Sequence, residues 1–365
     1  MKLYVYAICR DEAKFAARWM VSMSEADGVY VLDTGSSDGS PEQLEELGAH
    51  VARRQIQPWR FDDARNLSLD LTPEDGDLYI CTDLDEVFDP GWRQALEQAA
   101  AEQKRPQYRY RYVWSRQPDG EDGMVFWHDK IHTRRGFRWR YPVHETLAWQ
   151  GPGACRPGLA QGVCLRHWPD LEKPRAQYLP LLELAARENP QDPRCAHYLG
   201  REYLYAGQWE KAQGQLLRGL ALPANRWKPE RAASMRYLAQ CLLAQGQDQQ
   251  ALSWLYRAVA EAPELREGYV ECAQYFYQRQ NWPGVLLMCE SALAVRRRNQ
   301  EYINEAFAWG ALPWDLAALA AWNLGCRQKA LDYGEKALAL EPQNSRLQQN
   351  LEFYRRPAPA PNPCE

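Results

Sequence analysis

The strongest limit on the fold of this 365-residue chain is self-similarity in its second half. The stretches "AHYLGREYLYAGQWEKAQGQLLRGLALP" (196–223), "RYLAQCLLAQGQDQQALSWLYRAVAEAP" (236–263) and "AAWNLGCRQKALDYGEKALALEP" (320–342) align with one another. A more degenerate copy, "EGYVECAQYFYQRQNWPGVLLMCESALAV" (267–295), lies between the second and third. Each copy reads as a helix, a turn carrying Gly207, Gly246, Asn281 or Gly325, and a second helix opening near Ala212, Ala251, Val285 or Ala330. One such pair cannot bury its apolar face alone, whereas a stack of them can. Turn-to-turn spacings are 39, 35 and 44 residues, so the copies differ in length by insertions.

These spacings lie around the ~34-residue period of the tetratricopeptide repeat. Leu199-Gly200 followed by Tyr203 resembles that repeat's L-G-x-x-Y element. The resemblance implies an all-α solenoid over 173–355, suited to holding a peptide, a protein or a second copy of the chain as a homodimer. The Pro-rich end, 356–365, reads as disordered.

Residues 1–172 follow a different grammar. "KLYVYAIC" (2–9) and "GVYVLD" (28–33) are strand-like, with the amphipathic stretch "DEAKFAARWMVSM" (11–23) between them. After "GSSDGS" (35–40), Ser40, Pro41 and Gln43 read as a capping box opening a short helix. A strand near 49–54, the helix "DDARNLSLDL" (62–71) and the strand "DLYICT" (77–82) follow. Such alternation implies a parallel sheet with helices on both faces, and ligands bind such sheets at the carboxyl ends of the strands. Beyond Pro106 the β-rich segments "QYRYRYVW" (107–114), "MVFWHDKIHT" (124–133) and "GVCLRHW" (162–168) are expected to wall off that site. Alternation in the first puts Tyr108, Tyr110 and Tyr112 on one face.

Composition narrows the class. Hydrophobic residues at 45% and charged residues at 25% describe an ordinary globular chain. A net charge of −4 gives no steering towards nucleic acid, and no nucleic-acid partner is expected. No apolar run approaches the ~20 residues of a membrane span. Met1 leads straight into a strand pattern without a leader, and the ten cysteines include no C-x-x-C pair. Buried free thiols in a reducing, cytoplasmic setting are therefore expected.

Three stretches could carry chemistry. In "YICTDLDEVFDPGW" (79–92), Asp83 and Asp85 point the same way from an extended chain and could share Mn2+ or Mg2+. Solvated acids or a helix start are the other readings, with Asp89 and Pro90 sufficient for the helix. Asp33 ends a strand, where a carboxylate can accept from a ribose hydroxyl or base N–H. Arg65, in "FDDARNLSLD", could reach a nucleotide phosphate or base.

Taken together, these motifs resemble glycosyltransferase family 2. The likeness rests on "RDEAKF" (10–15), "VLDTGSSDGS" (31–40), the A-R-N of "DDARN" and "CTDLDEVF", where the family more often shows D-A-D-D. "YPVHETL" (141–147) followed by repeats narrows it towards sublancin-type S-glycosyltransferases and V-H-E proteins. The resemblance implies an α/β GT-A domain with a Rossmann-like mixed sheet over 1–172. It implies an inverting hexosyl transfer from a nucleotide sugar, UDP-glucose by default, to a peptide, protein or envelope-glycan acceptor. Ala7, Cys9, Glu12, Asp33, Arg65 and Asp83 would hold the donor, and Lys130, Arg134 and Arg135 would neutralise the departing diphosphate. Asp83 and Asp85, completed by His144 or His167, would hold the metal. Glu145, with Asp129 as second candidate, would be the base. A repeat scaffold bearing a degenerate transferase domain is the non-catalytic alternative.

Overall fold

A computed structural model describes residues 1–116, 120–170, 178–299 and 301–356. Residues 173–177, at the expected start of the solenoid, and the Pro-rich end from 357 onwards lie outside the described residues. The chain forms two compact units, Met1–Asn189 with Gln300–Tyr302, and Pro190–Asn299 with Ile303–Glu365.

The first unit runs β1 (Leu3–Cys9), α1 (Ala13–Met23), β2 (Gly28–Asp33), α2 (Ser40–Glu46), β3 (His50–Arg53), α3 (Phe61–Asp70), β4 (Leu78–Cys81), β5 (Glu86–Phe88) and α4 (Trp92–Gln103). It continues with β6 (Gln107–Val113), β7 (Val125–His132), β8 (Phe137–Arg140), β9 (Thr146–Trp149), β10 (Gly158–His167) and α5 (Tyr178–Glu188). One eight-stranded sheet has the order β3-β2-β1-β4-β7-β6-β10-β5, and β8 pairs with β9 separately. The sheet is mixed rather than parallel. β3, β2, β1 and β4 are parallel neighbours, β7 is antiparallel to both β4 and β6, and β10 runs parallel to β6. The β-rich segments thus extend the sheet instead of walling it off. Because β7 reverses direction twice over, β6 and β10 share the direction of β1, β2 and β4. All their carboxyl ends therefore meet at one edge.

Alternation in β6 follows the sequence: Tyr108, Tyr110 and Tyr112 are buried among Leu96, Ile131 and Leu165, while Arg109 is exposed. Two local expectations are corrected. The residue before α2 is Gly39 with φ 83°, which has no side chain to cap with; Asp38 accepts from Ser40 N at 3.0 Å, while Ser40 Oγ bonds Asp38 and accepts from Glu12 N at 2.7 Å. Likewise α4 opens after Gly91 (φ 85°), and Asp89 is paired with Arg166 at 2.7 Å rather than capping.

Among the described residues, the second unit contains four α-helix pairs and a closing helix. The pairs are α6 (Pro193–Tyr205) with α7 (Trp209–Ala221), α8 (Lys228–Ala244) with α9 (Asp248–Glu261), α10 (Arg266–Gln278) with α11 (Trp282–Ala294), and α12 (Leu312–Asn323) with α13 (Arg327–Leu340). The closing helix is α14 (Ser345–Arg355), whose Leu351 and Tyr354 cover Ala330. Gly207, Gly246 and Gly325 end the first helices with φ of 69°, 72° and 74°, a left-handed cap that glycine adopts without strain. Helix contact explains Gly200: a Cβ there would meet Leu216 Cγ at 2.7 Å and its backbone N at 3.3 Å. Gly200→Val is expected to cost about 1–3 kcal/mol by overpacking α6 against α7, read as a lowered urea midpoint. No helix of the described residues is long and apolar enough to cross a membrane, and the nine described cysteines are free thiols.

Candidate functional site: a polar edge at the carboxyl ends of the strands

At the end of β2, Asp33 is buried and turns back on its own loop. Its carboxylate accepts from Gly35 N at 3.1 Å and from the Ser36 amide and hydroxyl. Asp11, in a left-handed conformation (φ 53°), donates its amide to Ser36 Oγ and accepts from Ser37 N at 2.7 Å. "RDEA" and "GSSDGS" are thus one interlocked pair of loops. Ala7 and Cys9 are buried strand residues whose carbonyls accept from Ser68 Oγ and from Thr34, and Glu12 is buried beside Ser40.

The end of β4 carries a denser cluster. Arg65, buried on α3, donates to Glu145, to Cys81 Sγ at 3.3 Å and to Asp83 at 2.9 Å. Lys130 Nζ lies 3.4 Å from both Asp83 and Glu86. Glu86, 1% exposed, also accepts from Tyr112 Oη at 2.7 Å and from Asp83 N at 2.9 Å. The third acid of "DLDE" is therefore a buried counter-ion that fixes the turn, a role its sequence position does not disclose. Burial disfavours the Asp83 charge, but Arg65 and Lys130 outweigh it and hold that carboxyl far below its ordinary range. Burial likewise works against Lys130, and Asp83 and Glu86 override it and keep the amine protonated.

Asp85 faces a different partner. His167 Nε2 is 3.3 Å from its carboxylate and His167 Nδ1 is 3.1 Å from the Trp114 carbonyl. Both ring nitrogens thus face acceptors. Burial lowers the His167 pKa, but Asp85 and the carbonyl raise it by more, so the imidazolium is favoured. The ring stacks on Trp114, centroids 4.4 Å apart.

Not every expected residue arrives here. Glu145 joins the cluster through Arg65, from a loop where Tyr141 (φ 79°) and His144 (φ 51°) are both left-handed. Its anchor is the Pro142 carbonyl, which accepts from Phe61 N at 3.0 Å. Strand alternation sends Asp129 to the face opposite Lys130, 3.8 Å from Arg109. Arg134 is spent on the carboxyl end of α3, donating to the Leu69 and Thr72 carbonyls at 2.7 and 2.8 Å. A joint Lys130–Arg134–Arg135 cluster therefore does not form. His144 packs against Tyr178. Among the described residues no three His, Cys, Asp or Glu side chains stand together as a metal group. With Asp83 held by two cations and Asp85 by His167, the four expected ligands do not fit Mn2+ or Mg2+ in this arrangement.

The second unit holds polar residues that the sequence did not single out. Arg236 of α8, 2% exposed, pairs with Glu271 of α10 at 2.5 Å and with Glu305. Glu267 of α10 accepts from Glu305 N at 3.0 Å and Trp309 Nε1 at 3.2 Å. The segment that lengthens the last turn-to-turn spacing to 44 residues thus lies against the first helices of two repeats. That excess spacing was the available signal.

No family model and no curated protein matches the chain. Solved structures similar to it include PilF of Pseudomonas aeruginosa (16% identity, 48% of this chain and 72% of that one, TM-score 0.39). The protein MamA is similar at 17% identity over 46% of this chain and 89% of its own, with a TM-score of 0.37. YrrB, described as a TPR protein with an unusual peptide-binding site, follows at 15% identity, 48% and 82% coverage and a TM-score of 0.36. These likenesses concern about half of this chain. They bring in helical-repeat proteins and no glycosyltransferase. The expected membership of glycosyltransferase family 2 is overturned. What stands is a tetratricopeptide-like helical unit and, in the first unit, a mixed α/β sheet.

Proposed function

We propose that the protein is a repeat scaffold whose helical unit reads an extended segment of a partner protein with the first helices of its pairs. One observation carries this reading. Arg236 of α8 and Glu267 of α10, from successive first helices, already hold the chain at Glu305 by its side chain and its backbone amide, with Glu271 of α10 as the second acid on Arg236. Side chains presented at a fixed pitch by stacked helices suit an extended chain, which offers a charge or an amide at regular intervals. Photo-cross-linking of the full chain to a random peptide library tests it. Adducts are expected on α6, α8, α10 and α12. Adducts confined to the second helices of the pairs, or none at all, would defeat the reading.

A second reading gives the α/β unit a reaction: transfer of a hexosyl group from a nucleotide sugar to a peptide, protein or glycan acceptor. The cluster of buried Arg65, Lys130 and Glu86 around the half-buried Asp83, at the carboxyl ends of parallel strands, favours it. Such edges take ligands, and desolvated ion clusters are common where charge must be controlled. In this reading Glu145, oriented by Arg65, is the acceptor-side base, and Lys130 supplies positive charge towards the leaving group. Incubation with a panel of nucleotide sugars, with and without Mn2+, decides it. Donor turnover lost in Glu145→Gln is the expected result; absence of both binding and turnover for every donor leaves the scaffold reading alone.

A further inference from the structure

Next to the Asp85–His167 pair stands a group of donors that no described residue satisfies. The Arg18 guanidinium, from α1, lies 4.7 Å from the centre of the Trp168 ring, and that of Arg116, just beyond β6, lies 3.8 Å from it. The two cations are thus at most about 8.5 Å apart. Both are exposed, and among the described residues neither has a carboxylate partner. Elsewhere in this unit Arg53, Arg60, Arg65, Arg93, Arg111 and Arg166 each engage one. Asp85 is the acid that acts on Arg18, but His167 already holds its carboxylate. The Trp168 indole N–H is shielded from solvent and has no acceptor among the described residues. Its backbone is fixed, since Trp168 N donates to the Asp85 carbonyl at 2.7 Å.

Two planar cations and one indole donor, all lacking acceptors, call for a ligand that offers only acceptors and carries more than one negative charge. We propose that Arg18, Trp168 and Arg116 form a binding site for a phosphoryl or diphosphoryl group at the carboxyl edge of the sheet. The site lies at the ends of β6 and β10, the same edge that receives Asp33 and the β4 cluster. Trp168 acts as a spacer: cation–π contact keeps two like-charged guanidiniums near each other while their N–H groups stay free to bind. Metal coordination is not required, because the charge balance comes from the arginines. The proposal does not depend on the unit being catalytic, and it is tested by binding alone.

Calorimetric titration of the full chain with inorganic pyrophosphate, and separately with inorganic phosphate, in metal-free buffer is the test. Saturable binding is expected. Arg18→Gln and Arg116→Gln should each weaken it about tenfold, as loss of one charge-assisted pair implies. Arg18→Lys should recover only part of the affinity, while Arg54→Gln, an exposed arginine outside the group, should change nothing. Trp168→Phe keeps a ring and removes the N–H, and should weaken binding several-fold. Both arginines are exposed, so the variants should keep the wild-type circular dichroism. Absence of pyrophosphate binding to the wild type, or unchanged affinity in the folded Arg18→Gln/Arg116→Gln double variant, overturns the proposal. So does equal loss in Arg54→Gln, which would mark general charge attraction.

Discussion

Arg65→Met should lower the stability of the protein by about 3 kcal/mol, the largest single effect expected in the first unit. Methionine fills a similar volume but leaves Glu145, whose side chain is 11% exposed, without its cation. Removing one partner of a buried pair costs about 3–5 kcal/mol, because the other charge stays desolvated. The lower end applies here: Asp83 is 34% exposed and keeps Lys130 at 3.4 Å. A double variant, Arg65→Met with Glu145→Gln, should recover a good part of the loss, since no lone carboxylate is then buried. Urea unfolding of the four members of this cycle measures the coupling. A single variant within about 0.5 kcal/mol of wild type would show that the pair is solvated in solution.

Acid should weaken the first unit well before its carboxylates titrate, and His132 is the reason. It is fully buried in a relay in which Trp139 Nε1 donates to Tyr6 Oη at 2.9 Å and Tyr6 Oη lies 2.7 Å from His132 Nε2. His132 Nδ1 lies 2.8 Å from the Thr133 carbonyl, so it carries the ring proton and Nε2 accepts. Burial lowers the pKa of this imidazole to about 4. A base whose folded pKa lies below its unfolded value of ~6.5 takes up protons on unfolding. Its contribution is therefore complete above pH ~6.5 and disappears as the pH falls towards about 4. The shift corresponds to about 3 kcal/mol at the acid limit. Thermal midpoints at pH 7 and 5 should differ in wild type and differ less in His132→Phe. An imidazole signal from His132 that titrates near pH ~6.5 would refute the account.

What could be read without coordinates depended on the range of the signal. The repeats were legible because each copy states its own helix, glycine turn and small packing residue within one window; Gly207, Gly246 and Gly325 are local facts. The β6 alternation of Tyr108, Tyr110 and Tyr112 was legible for the same reason. Strand order was not, since pairing of β4 with β7 joins residues some fifty positions apart and leaves no periodic trace. The same limit governs the site. Asp83 and Asp85 looked alike in sequence, yet one is claimed by Arg65 and Lys130 and the other by His167, all from distant elements. Arg134 looked free to meet a ligand, but the open carbonyls at the end of α3 take it first. Motif order suggested a family that the comparisons do not bear out, because D-x-D, A-R-N and a Gly/Ser turn are short and each has a structural use here.

The connection between β4 and β5 has a mechanical side. Only residues 82–85 separate these strands, yet they stand fourth and eighth in the sheet. Adjacent strands are spaced ~4.8 Å, so a flat sheet would set them about 19 Å apart. Five extended peptide steps reach at most about 18 Å, and the 3.0 Å bond from Glu86 N to the Asp83 carbonyl folds them shorter still. The sheet has to bend until its middle and its edge draw near, like a bow held by a short string. The acidic stretch is that string, and its length sets how far the edge leans over the rest. Two glycines added between Leu84 and Asp85 would slacken it without removing a single carboxylate.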